Sequence, residues 1–195
     1  LKDVRKSMIQ GDRHEMCVRC NREDDAEVPS RRRNATIEYY DKYNYDYWKA
    51  LSHCHDDGQL MLHESEVLEY DIRLGNLCNL KCRMCHPSES TQWYDEWFDT
   101  MFKGFNSDFT RVEMFRENKK IKLKNDIYSW YDDSKFFNEV NKNSNSARKI
   151  YFSGGEPTLV ENMYDMLEKI IDSGMAKDIE LEYNINLTNI PRRAI

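Results

Sequence analysis

Three cysteines fall within eight residues, Cys78-Asn79-Leu80-Lys81-Cys82-Arg83-Met84-Cys85, separated first by three residues and then by two. Thiolates are soft donors of the kind that zinc and iron–sulfur clusters take. A closed structural site uses four protein ligands, whereas a site that performs chemistry keeps a position open for water, substrate or cofactor. Three thiolates on an iron–sulfur cluster leave one iron free to bind something that reacts. A second segment, Ser153-Gly154-Gly155-Glu156-Pro157, is equally unusual. Gly154 and Gly155 remove two side chains where backbone would have to approach a ligand closely. Glu156 offers an acceptor for an ammonium group, and Pro157 breaks strand pairing. A ligand lying on that backbone and also reaching an open iron would carry an amine and a second chelating group, as an amino acid does.

The elements that must position these two segments follow from periodicity. Val67, Leu68, Tyr70, Ile72 and Leu74 make Glu66 to Leu74 a strand ended by Gly75-Asn76, which delivers the chain into the cysteine loop. Pro87 and Ser88 are expected to open a helix whose Trp93, Trp97 and Met101 recur every four positions as a core stripe, with Gly104 as its stop. The charged stretch from about 105 to 147 reads as an insertion with one helix near Asp133–Asn141, and Lys149 to Ser153 as a second strand. Thr158 and Glu161 suggest a capping box for the next helix, with Leu159, Met163, Leu167, Ile170 and Ile171 as its buried stripe and Gly174 as its end. Ile179 to Leu187 alternates like a third strand. Strand–helix–strand–helix–strand implies an α/β fold with parallel strands. Ligands of such sheets lie beyond the carboxyl ends of the strands, where both special loops would fall.

The paired motifs Cys78-x-x-x-Cys82-x-x-Cys85 and Ser153-Gly154-Gly155-Glu156-Pro157 resemble those of the radical SAM superfamily, over roughly residues 68–190. The resemblance implies a [4Fe–4S] cluster on Cys78, Cys82 and Cys85, with S-adenosylmethionine (SAM) on the fourth iron and its ammonium group at Gly154, Gly155 and Glu156. It implies reductive cleavage of SAM to a 5′-deoxyadenosyl radical that abstracts hydrogen from a substrate, with an electron donor such as flavodoxin or ferredoxin. The residue before the third cysteine, an aromatic packed near the adenine in the family, is here Met84. The Thr-Asn-Gly at the end of the third strand appears as Ile185-Asn186-Leu187, which carries over only Asn186 as a pocket contact. The implied fold is a partial (β/α) barrel of the radical SAM type, truncated after its third strand, with residues 66–195 as the N-terminal half of the barrel. Upstream, Cys17-x-x-Cys20 with Glu23, Ser30 and Arg31 is similar to the auxiliary-cluster module of the SPASM/twitch subgroup, so residues 1–65 form a Cys-containing polar segment. That subgroup tilts the open question of substrate toward a peptide or protein side chain.

Rival readings attach to the same residues. Cys82-Arg83-Met84-Cys85-His86 satisfies the c-type haem signal C-x-x-C-H, but that reading gives no role to Cys78 or to the Gly-Gly-Glu-Pro turn. Cys78, Cys82, Cys85 and His86 could instead surround zinc, making the chain a non-catalytic metal-binding module. Cys17 and Cys20 are read as ligands of either an auxiliary cluster or a structural zinc, with Cys54, His53 and His55 as neighbours. Composition narrows the remaining classes. The net charge of −6 lacks the electrostatic footprint of a general nucleic-acid binder, and Arg31-Arg32-Arg33 reads as a solvated run. Mean hydropathy is −0.88, and no apolar run approaches the length of a membrane span. Clustered thiols without a visible secretory signal point to a reducing, cytoplasmic setting, where the sequons Asn34-Ala35-Thr36 and Asn186-Leu187-Thr188 are chance matches. Leu1 and Ile195 read as cut ends of a longer reading frame.

Overall fold

The computed structural model describes residues 1–61, 67–102, 114–124 and 126–194, which divide into two compact units, Leu1–Glu66 and Val67–Ile195. The first unit is helical: α1 (Lys2–Ile9), α2 (Val18–Asp25), α3 (Arg31–Tyr43) and α4 (Tyr47–Ser52). The run from Tyr39 to Trp48, rich in tyrosine, is shared between two helices, since Asn44 adopts φ +49 to end α3 and the Asp46 carboxylate accepts from Trp48 N–H and Lys49 N–H to start α4. Polar ties hold the unit together. Arg13 forks onto Asp25, Arg32 reaches Asp24 and Asn21, and Arg5 donates to the Gly58 carbonyl at 2.8 Å. Among its described residues the buried side chains are polar, Asn21 and Ser30; the buried apolar residues of the described chain begin at Ile72.

The second unit is built on a parallel three-stranded sheet. β1 (Glu69–Leu74) lies beside β4 (Lys149–Gly154), which also pairs with β5 (Glu180–Tyr183). Alternation places Ile72 and Leu74 of β1 and Ile150 and Phe152 of β4 in one core. Against this face pack Phe137 and Val140 of α6 (Ser134–Asn143) and Met163, Tyr164, Met166 and Ile170 of α7 (Glu161–Asp172). Between β1 and α6 the chain forms α5 (Tyr94–Phe102) and an antiparallel hairpin, β2 (Met114–Glu117) and β3 (Lys120–Leu123). The fold is therefore mixed α/β with parallel strands, as the periodicity implies. None of the helices among the described residues is long and apolar enough to cross a membrane.

Four local expectations are revised. The helix expected at Pro87 starts later: Ser90 caps a short 3-10 turn, Thr91–Trp93, that leads into α5, because the Pro87 carbonyl is taken by the Asn76 side chain at 2.6 Å. The capping box from Thr158 does not form. Glu156 is the cap, accepting from Thr158 N–H, and α7 begins at Glu161 after the turn Pro157–Leu159. Of its expected stripe Ile171 is 62% exposed, while Tyr164 and Met166 are buried in the core. Third, β5 is shorter than the alternation suggests. Asn184 N–H still reaches the Phe152 carbonyl, but Asn186 N–H turns to the Glu156 carboxylate at 2.7 Å and the ladder stops. Fourth, Trp93 and Trp97 are half-buried and lie outside the core; Gly104 and part of the charged insertion lie outside the described residues.

Candidate metal centre

The parallel register sets the site. Leu74 pairs with Gly154 at the carboxyl ends of β1 and β4, so the loops that follow leave the sheet level with each other. Two backbone bonds then join them, Gly155 N–H to the Gly75 carbonyl at 3.1 Å and Glu156 N–H to the Leu77 carbonyl at 2.7 Å. The glycines permit this approach. A Cβ on Gly154 would stand 2.8 Å from the Leu74 backbone, and one on Gly155 2.2 Å from the Leu77 carbonyl oxygen. The neighbour they admit in this structure is thus the backbone entering the cysteine loop.

The start of α5 clamps the cysteine loop from the other side. The buried Asn76 amide donates to the Pro87 carbonyl and to the Tyr94 hydroxyl, and the Asn76 carbonyl accepts from Thr91 N–H. Ser90 Oγ donates to the Leu80 carbonyl at 2.6 Å, Gln92 Nε2 to the Cys78 carbonyl at 3.3 Å, and Trp93 Nε1 to the Cys82 carbonyl at 3.1 Å. Cys85 N–H closes a turn onto the Cys82 carbonyl. Three carbonyls of the loop, those of Cys78, Leu80 and Cys82, are thus taken by its own scaffold.

Cys78 is buried, Cys82 exposed and Cys85 half-buried, and all three are free thiols. Burial pushes the Cys85 thiol up, and the adjoining Cys82, the Glu89 carboxylate and Cys78 push it the same way. The loop therefore concentrates three sulfurs that repel one another as thiolates, a repulsion that a cationic metal centre would reverse. Among the described residues no group of three or more His, Cys, Asp or Glu side chains converges to hold an ion. The fit to a cluster accordingly rests on donor type and on the anchored backbone. Met84 is 91% exposed. His86 faces Glu89 and Ser88 and stacks at a tilt near Trp97, so its Nδ1 is engaged within the chain.

Glu156 is 1% exposed. One carboxylate oxygen accepts from Thr158 N–H and Oγ1 and the other from Asn186 N–H. Its acceptor capacity faces inward, binding the turn after β4 to the segment after β5. Asn186 reaches the cysteine loop, its Nδ2 lying 3.9 Å from Cys78 Sγ and 2.9 Å from Asn79 Oδ1. Comparison with family models, curated proteins and solved structures gives no match for this chain. The functional reading therefore stands on the residues themselves.

Cys17 and Cys20 lie at the start of α2, and Cys54 makes an isolated bridge with Leu60 in the same unit. The scaffold residues Asn76, Asn79, Ser90, Trp93 and Thr188 carry no catalytic motif. Gly75-Asn76 reads only as a strand stop, and Ser90 has the form of a helix cap. An apolar cleft of about 460 Å³ lies away from the thiols, between α7 and β5, lined by Met163, Leu167, Ile171, Leu181, Tyr183 and Ile190 among others. It lies along β5, which pairs with β4 alone among the described strands and leaves Leu181 and Tyr183 partly exposed.

Proposed function

We propose that residues 67–195 are the N-terminal part of a radical SAM core, a partial (β/α) barrel. In this reading Cys78, Cys82 and Cys85 hold a [4Fe–4S] cluster beside a SAM site at Gly154, Gly155 and Glu156. The observation that carries the reading is the level ending of β1 and β4, which puts a three-thiol loop and a Gly-Gly-Glu turn in backbone contact at one rim of a parallel sheet. When bound and reduced by an external electron donor, the cluster would supply one-electron reductive cleavage of SAM for hydrogen abstraction from a substrate, with a peptide or protein side chain as the favoured class.

The chain's own residues have separable tasks. Leu80 N–H donates to Cys78 Sγ at 3.4 Å, which ties the sulfur to the turn that follows it. Trp93, Ser90 and Gln92 hold the loop backbone, leaving the thiols as its variable part. Glu156 acts from behind the rim, bracing Asn186, while the exposed Met84 is the apolar side chain available to an adenine. Arg83, exposed on the loop, suits an acidic electron donor of the flavodoxin or ferredoxin kind, while Lys81 pairs with Glu96 at 2.8 Å. Among its described residues the helical unit 1–66 has no buried apolar side chain, and small units of this size commonly depend on a metal staple. Cys17 and Cys20 are the thiols available there for an auxiliary cluster or zinc.

Anaerobic reconstitution with iron and sulfide tests the proposal. About four irons per core site and a broad absorbance near ~400 nm are expected. Addition of SAM and dithionite should release 5′-deoxyadenosine. Stoichiometric zinc without sulfide in freshly purified protein would favour the non-catalytic metal-binding module instead. Iron and sulfide without 5′-deoxyadenosine would keep the cluster and remove the radical chemistry.

A further inference from the structure

We infer that Asn79, Asn186 and Thr188 form a side-chain latch that positions Cys78, anchored by the Glu156 carboxylate. Asn79 Nδ2 donates to Thr188 Oγ1 at 2.8 Å, and Thr188 Oγ1 donates to Asn186 Oδ1 at 2.7 Å. Asn186 Nδ2 closes the ring by donating to Asn79 Oδ1 at 2.9 Å, and the same nitrogen lies 3.9 Å from Cys78 Sγ. The assignment is self-consistent. The hydroxyl has one proton to give and a lone pair to receive, and each amide uses its donor and acceptor ends on different partners. Turning Asn79 over would set donor against donor and turning Asn186 over acceptor against acceptor, while turning both is barred by Thr188 N–H, which donates to Asn186 Oδ1, so the ring admits one orientation.

The latch joins segments more than a hundred residues apart and is fixed at its far side. Asn186 N–H is held by Glu156, and Thr188 N–H donates to Asn186 Oδ1 at 3.0 Å. This turn forces Leu187 to φ +57, a left-handed conformation that a leucine rarely adopts. Sterically costly backbone and a closed polar ring therefore occur at the same point, beside the one buried thiol of the loop. Asn79 and Thr188 are positioning residues, acting on Cys78 through Asn186. The consequence for catalysis rests on the reading of Cys78 as an iron ligand; the latch itself does not.

The test is made on the metal-free 195-residue chain, by timed iodoacetamide labelling and peptide mass spectrometry of Cys78, Cys82 and Cys85. Cys78 is expected to label more slowly than the exposed Cys82. Thr188→Val removes both bonds of the hydroxyl and should speed Cys78 labelling about thirty-fold relative to Cys82, the factor that loss of two ordinary hydrogen bonds gives when labelling requires local opening. Thr188→Ser, which keeps the hydroxyl, should restore the slow rate, and Asn79→Ala should match the valine variant. Equal labelling of Cys78 and Cys82 in the unaltered chain would overturn the inference. So would an unchanged Cys78 rate in both Thr188→Val and Asn79→Ala, or an equal rise at all three thiols, which reports general loosening. A chain that shows the predicted labelling yet binds no iron would keep the latch and remove the cluster reading.

Discussion

Replacing Gly155 with alanine tests the contact on which the site depends. The added Cβ would lie 2.2 Å from the Leu77 carbonyl oxygen, 2.6 Å from its carbon and 2.7 Å from the Asn76 carbonyl carbon. All three atoms are backbone, so no side chain can swing away, and the two loops must part. The bonds from Gly155 N–H to Gly75 and from Glu156 N–H to Leu77 flank the intrusion. Losing both removes about 2 kcal/mol, and overpacking adds about 1–3 kcal/mol, giving a total of about 3–5 kcal/mol. That is a large part of the ~5–15 kcal/mol that stabilises an ordinary domain. Gly174→Ala is the control. Gly174 has φ +76 but nothing within 4 Å of its missing Cβ, so it bears only conformational strain, about 1–2 kcal/mol. Urea unfolding followed by tryptophan fluorescence in a Trp48→Phe background reports residues 67–195 alone, since the remaining tryptophans are Trp93, Trp97 and Trp130. A cost for Gly155→Ala no greater than that for Gly174→Ala would show that the two loops do not touch.

Other substitutions probe the rim. Glu156→Ala leaves Thr158 N–H and Asn186 N–H without their acceptor and should cost about 2–4 kcal/mol. Hydrogen exchange of the peptide spanning Asn186 should rise with it, and unchanged protection there would contradict the brace. Leu187→Gly relieves the left-handed strain at a side chain that is 63% exposed, and should raise stability by up to about 1 kcal/mol. A loss of more than about 1 kcal/mol in urea unfolding would mean that this leucine packs against something.

Much of the sheet was legible because its signals are local. Tyr70, Ile72 and Leu74 alternate, Met163, Leu167 and Ile170 recur at helical spacing, and Gly174 adopts the left-handed stop its position suggests. The hairpin β2–β3 was not, because Arg116, Glu117, Lys120 and Lys122 dilute the apolar alternation of an exposed two-stranded element. Its turn did carry a signal, since Asn118 and Lys119 both take positive φ, where asparagine is favoured. At the site, the thiols and the Gly-Gly-Glu turn are legible from residue type and spacing. Their supports are not. Asn186 meets Asn79 across 107 positions and Asn79 meets Thr188 across 109, pairings that no local pattern encodes. Glu156 shows the same limit from the other direction. Its sequence context marks it as an acceptor but not which donors claim it, and folding gives those places to Thr158 and Asn186.

The central claim is that the three-thiol loop holds a cluster with one iron open to SAM. Electron paramagnetic resonance of the anaerobically reconstituted, dithionite-reduced chain, recorded with and without SAM, tests it most directly. The account predicts a reduced [4Fe–4S] signal whose g-values move when SAM is added, and which disappears in Cys82→Ala. The absence of any signal that responds to SAM, or a SAM-responsive signal that survives loss of Cys82, would contradict it.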